Sequence, residues 1–157
     1  MIETIILVMP LMLSPGPANL VCFALTARFG FSQVLFFLLG ISFVYILVAI
    51  VLGVITSQVT ARSSVIAVIL MLLGGLFIFY LGIQMLGRKG HKITPRPPGF
   101  SNGVLLQLLN PKYPPVVLSV FAHSQNHHVL LTAGIISIVG AMGLVLYAAA
   151  GTLIHRR

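Results

Sequence analysis

Five prolines remove backbone donors at two places in this chain, and a lone lysine stands inside the second. The first place is Ser14-Pro15-Gly16-Pro17-Ala18-Asn19; the second is Asn110-Pro111-Lys112-Tyr113-Pro114-Pro115. A proline has no N–H and its ring clashes with the carbonyl four residues back, so each segment splits a helix in two. The carbonyls that lose their amide partners belong to Leu11, Leu13, Gln107, Asn110 and Pro111. Carbonyls at a half-helix end carry partial negative charge and suit an ammonium group, whereas the free N–H groups at a half-helix start suit a carboxylate. Proline is well placed in a first helical turn, so Pro17 and Pro115 are expected to open the second halves. A cavity offering both kinds of terminus could hold a zwitterionic amino acid.

Lys112 fits the same chemistry. It is the only strongly basic residue within an apolar run rather than between runs. A lysine near a bilayer midplane costs roughly 2.5–3.5 kcal/mol on insertion scales, so it is expected to face a polar interior. Two roles are open to it: pairing with a substrate carboxylate, or occupying the carbonyls that the prolines orphan. Polar residues recur beside both breaks at helical spacing, with Asn19, Cys22 and Thr26 on one side and Gly103, Gln107 and Asn110 on the other. Ser42, Tyr45, Tyr80 and Gln84 could complete a lining. His123, His127 and His128 form an H-x₃-H-H cluster with no cysteine or carboxylate beside it, and are read as loop residues rather than a metal site.

These residues need elements that hold them at one depth, and the composition says what those elements are. Of 157 residues, 59% are hydrophobic and 6% are charged, against about 25% charged in a soluble domain. The chain reads as an all-α integral membrane protein in a lipid bilayer. Five runs reach the roughly 20 apolar residues that a crossing needs: about Thr4–Ala27, Ser32–Ile55, Ser64–Leu86, Phe100–Ala122 and Val129–Ile154. The net charge of +8 is spread singly between these runs and forms no basic face, so nucleic acid is not the expected partner. The basic residues report topology instead. Arg28, Arg88, Lys89, Lys92, Arg96, Arg156 and Arg157 fall on one side and Arg62 on the other. That bias puts the C-terminus in the cytoplasm and the N-terminus outside. Met1-Ile2-Glu3-Thr4 lacks a basic leader region and reads as the start of a retained helix.

Pro15 lies eleven residues after Thr4 and Pro111 eleven after Phe100, which puts each break roughly 16 Å into a core about 30 Å thick. The first span enters from outside and the fourth from the cytoplasm, so the breaks meet at one depth from opposite directions. The expected architecture is one domain, residues 1–157, built as an inverted three-helix repeat. Repeat one covers about 4–86; repeat two covers about 100–154 and lacks its last helix.

Ser14-Pro15-Gly16-Pro17-Ala18-Asn19-Leu20 resembles the P-G-P-x-N segment of the lysine exporter and homoserine/threonine exporter (LysE/RhtB) family. Tyr80-Leu81-Gly82 resembles that family's third span, and Phe100-x₂-Gly103-x₆-Asn110-Pro111-Lys112 its second signature. The resemblance runs from about residue 5 to 153 and departs in having five spans rather than six, and Val44 where a glycine is common. It implies secondary export of amino acids or derivatives across the bacterial inner membrane, with no cofactor, no enzymatic reaction, and protons as a candidate coupling ion. It carries substrate binding onto Pro15, Gly16, Pro17, Asn19, Asn110, Pro111 and Lys112, and Gln107 joins them from its place beside the second break. With Glu3 the only acidic residue, a neutral amino acid is favoured over a basic one. The alternative is a transport-inactive or scaffolding membrane protein of the same fold, or one that completes itself as a homo-oligomer.

Overall fold

The computed structural model describes residues 2–60, 96–123 and 128–155. The third expected span, the basic residues from Arg62 to Lys92, Tyr80, Gln84, His127, Arg156 and Arg157 lie outside them. Within the described residues every regular element is a helix. α1 covers Ile2–Leu13, α2 Pro17–Phe29, α3 Phe31–Thr60, α4 Phe100–Leu108, α5 Tyr113–His123 and α6 Val129–His155.

The first expected span is two helices. α1 stops at Leu13, and Gly16 then takes an extended conformation (φ −127°, ψ 167°) from which Pro17 opens α2 as its first residue. The fourth span divides likewise into α4 and α5, with Leu109 to Lys112 between them. Here the structure corrects one expectation: α5 begins at Tyr113, so Pro114 and Pro115 are its second and third residues. Both sit in the first turn, where an amide would have no intrahelical acceptor and its loss is tolerated. α2 ends on Gly30, whose φ of 81° is the only positive value among the described residues and whose N–H reaches the Thr26 carbonyl at 2.9 Å. A side chain there would be strained, and glycine permits a one-residue passage into α3.

α3 and α6 are each long and apolar enough to cross a membrane. Both are apolar on every face, as membrane helices are. One stripe of α3, Val34, Phe37, Ile41, Tyr45 and Ala49, is buried, while Phe36, Leu39, Phe43 and Ile46 point outward; Phe36 is 66% exposed. α6 buries Ile136, Leu144 and Ala148 and turns Ile138, Met142 and Leu146 outward. Large apolar side chains covering the outside suit hydrocarbon and not water.

Glycines set how closely the helices approach. α3 packs on α4 through Gly40 and Gly103: a methyl group at Gly40 would strike the Phe100 carbonyl, and one at Gly103 the Phe37 carbonyl. α2 lies along α6, where Gly151 faces the Phe23 carbonyl and the Thr26 hydroxyl. α6 also meets α3 and the end of α1. Gly140 receives the Tyr45 ring and Gly143 the Met12 carbonyl, each about 3.2 Å from where a Cβ would stand. These close backbone contacts resemble the small-residue interfaces of membrane helices.

Candidate functional site

The end of α1 is the first component. An α-helix leaves its last four carbonyls without intrahelical donors, and here side chains from three elements serve them. The Ser14 amide closes on Pro10 at 3.1 Å, the last backbone bond of this half. The Leu11 carbonyl, orphaned by Pro15, accepts the Ser14 hydroxyl at 3.0 Å. Met12 accepts the Asn19 side-chain amide at 3.2 Å. Leu13, orphaned by Pro17, accepts the Tyr147 hydroxyl of α6 at 3.1 Å. The Ser14 carbonyl accepts two donors, Asn19 Nδ2 at 3.3 Å and the Lys112 ammonium at 2.5 Å. A cation thus sits at the negative end of α1, where the helix dipole favours it.

The second component is the link between α4 and α5. The Asn110 amide turns back to the Gln107 carbonyl at 3.1 Å, so that this orphan too is satisfied. A side-chain relay follows. The backbone N–H of Lys112 donates to Asn110 Oδ1 at 3.1 Å, and Asn110 Nδ2 donates to Gln107 Oε1 at 3.0 Å. Because a backbone N–H only donates, the carboxamide orientations follow from it. The relay ends on Gln107 Nε2, which is buried and has no partner among the described residues, the side chain being 2% exposed. Tyr113 braces the start of α5 against α3: its hydroxyl donates to the Tyr45 carbonyl at 2.6 Å and its ring tilts 50° to that of Tyr45 at 4.5 Å.

The two breaks face one another across a narrow, partly open crevice. Gly16, Ala18 and Asn19 line it from the first break, and Asn110, Lys112 and Tyr113 from the second; Met12 and Tyr45 complete the wall. Gly16 is where the lysine stem lies, since a Cβ there would stand 2.7 Å from Lys112 Cδ and 3.3 Å from its Nζ. Its backbone is extended and open to any residue, so glycine is needed at this point for room.

Of the residues expected at a site, Gly16, Asn19, Asn110 and Lys112 line this crevice. Gln107 is buried behind Asn110. Pro15 is exposed and Pro17 and Pro111 are half-buried; they shape the backbone and do not line the wall. The further polar positions divide. Tyr45 is at the wall, whereas Thr26 turns its hydroxyl back to the Cys22 carbonyl at 2.9 Å and Ser42 to Leu38 at 3.0 Å. Cys22 is a buried free thiol that does not line the crevice, and Gly103 is a packing contact. Tyr147 is absent from the sequence expectations: a tyrosine within an apolar span carries no spacing signal for a carbonyl 134 positions away.

Chemically the crevice is bipolar. It offers an ammonium acceptor in the Ser14 carbonyl. For a carboxylate it offers the Lys112 ammonium and the first turn of α2, where helix geometry leaves the Ala18 and Asn19 amides without intrahelical acceptors. The start of α5 contributes less, because Pro114 and Pro115 have no N–H and the Lys112 amide is spent on Asn110.

Comparison with known proteins gives the chain its relatives. Two curated relatives are each 28% identical over 152 residues, covering 92% of this chain and 78% of their own length. They are the cysteine/O-acetylserine efflux proteins of Salmonella paratyphi A and Salmonella typhi. No solved structure matches significantly. The LysE type translocator family matches residues 9–157, and with both signature breaks inside that range the chain belongs to this family of membrane translocators.

Proposed function

We propose that this protein exports amino acids or their derivatives from the cytoplasm across the bacterial inner membrane, and that the crevice between the two breaks is the substrate site. One observation carries the reading: the Lys112 ammonium bridges from the second break to the Ser14 carbonyl of the first. The site therefore holds an acceptor for a substrate α-ammonium and a cation for its carboxylate within one side-chain length. Gly16, Asn19, Asn110 and Lys112 contact the substrate. Pro15, Pro17 and Pro111 keep the half-helix ends apart, and Gln107 holds Asn110.

A neutral side chain suits the site better than a basic one. The only acidic residue of the chain is Glu3, at the start of α1, and Lys112 repels a second cation. The small neutral substrates named for the relatives support this preference. The domain is a single unit of inverted repeats, entered by α1 from outside and left by the C-terminus on the cytoplasmic side. Catalysis has no part in it; the work is binding and reorientation around a fixed midplane site.

Efflux from cells loaded with a radiolabelled mixture of cysteine, O-acetylserine, serine, threonine, lysine and arginine tests the proposal. Expression of this chain should speed loss of the small neutral amino acids and leave lysine and arginine retained. Retention of all six by cells with the protein inserted in the membrane would make it a transport-inactive member of the fold.

A further inference from the structure

We infer that Lys112 is a tethered competitor whose ε-ammonium occupies the seat of the substrate's α-ammonium and yields it only to a ligand that also brings a carboxylate. The inference rests on the amino-acid site proposed above and adds how that site selects.

Three features carry it. The Lys112 ammonium sits on the Ser14 carbonyl, the acceptor at the negative end of α1, as a substrate ammonium would. Its stem lies in the space left by Gly16, whose extended backbone imposes no need for glycine. Its backbone is pinned, with the N–H on Asn110 Oδ1 and Asn110 in turn on Gln107. The stem alone is therefore free to swing, and the ammonium moves while its Cα stays.

The energetics follow from what each ligand leaves behind. An amine without a carboxylate can take Ser14 only by displacing the lysine ammonium from its carbonyl partner, and a lysine left unpaired within a membrane span is costly. A zwitterion takes Ser14 with its ammonium and gives the displaced lysine a carboxylate partner, so no charge is stranded. The lysine thus selects for an ammonium and a carboxylate on the same ligand, and rejects amines that carry the same side chain.

The test is isothermal titration of the purified full chain in detergent micelles, with reductant. The probes are L-cysteine with cysteamine and L-serine with ethanolamine, each amino acid beside its decarboxylated amine. The wild type should bind the amino acids at least tenfold more tightly than the amines. Lys112→Met keeps the stem and removes the competitor; the amines should gain at least tenfold and the amino acids should weaken, reversing the preference. Amine affinities that stay put or fall in Lys112→Met, while the wild type binds the amino acids, overturn the competitor role and leave the transport site standing. A wild type that binds neither amino acid overturns the site and this inference together.

Discussion

Two tyrosine hydroxyls donate to backbone carbonyls of this protein, and removing them should have unequal effects. Tyr113 reaches the Tyr45 carbonyl at 2.6 Å from a buried position; Tyr147 reaches the Leu13 carbonyl at 3.1 Å from a more open one. Bond length and burial alone would make Tyr113 the more important. What each change leaves behind argues the reverse. Tyr45 lies inside the continuous helix α3, so its carbonyl already receives a helical amide, and Tyr113→Phe removes a second donor. Leu13 would receive its amide from residue 17, which is Pro17, so Tyr147→Phe leaves that carbonyl with neither a helical amide nor its side-chain donor. A lost hydrogen bond nets about 1 kcal/mol, and an unsatisfied carbonyl costs about 1–3 kcal/mol, although interhelical bonds in membranes average nearer 0.6 kcal/mol. Tyr147→Phe is thus expected to destabilise by about 1–2 kcal/mol and Tyr113→Phe by about 0.5 kcal/mol or less. Unfolding of the purified proteins by SDS titration in mixed micelles measures both. Equal losses, or a larger one for Tyr113→Phe, would refute the view that the prolines create carbonyls which side chains must serve.

Three further outcomes are expected. Gly103→Ala places a methyl group against the Phe37 backbone, which cannot yield as a side chain can, and should cost about 2–3 kcal/mol in the same titration. Gly134→Ala, with nothing within 4 Å of the added carbon, should instead stabilise α6 by about 0.5–1 kcal/mol. A reporter active only in the cytoplasm should work when fused after Arg157, and a tag ahead of Glu3 should be reached by an impermeant label from outside; the opposite pattern would invert the orientation.

The breaks are legible in the sequence because proline acts locally: a missing amide and a ring clash need no knowledge of neighbours. The same logic names five orphaned carbonyls, and three of them, Leu11, Leu13 and Gln107, are served by something other than a helical amide. Which group serves them is not legible. Ser14 is close in sequence, but Tyr147 comes from another helix through packing that glycines permit. Spacing marks Asn19, Cys22 and Thr26 as one helical face, yet does not say that Thr26 meets Gly151 of α6 while Asn19 meets the crevice. The start of α5 lies two residues before Pro115, because no amide of a first turn has an intrahelical acceptor and a proline is tolerated at any of its positions. Tyr113, Pro114 and Pro115 share that turn, and a proline marks the turn without marking which of its residues comes first.

The proposed site holds a single positive charge, that of Lys112, and that bears on what can drive it. Membrane voltage acts on a moving elementary charge with about 2.3 kcal/mol per 100 mV. A zwitterion brings a positive and a negative group together and adds nothing to the sum. Lys112 contributes the same single charge whether its partner is the Ser14 carbonyl or a carboxylate. Voltage then biases the loaded and unloaded reorientations equally, and the two contributions cancel round a complete cycle. On the proposed function, outward flow of a neutral amino acid through this crevice would be electrically silent, and its direction would be set by the amino-acid gradient unless a proton travelled with one limb of the cycle.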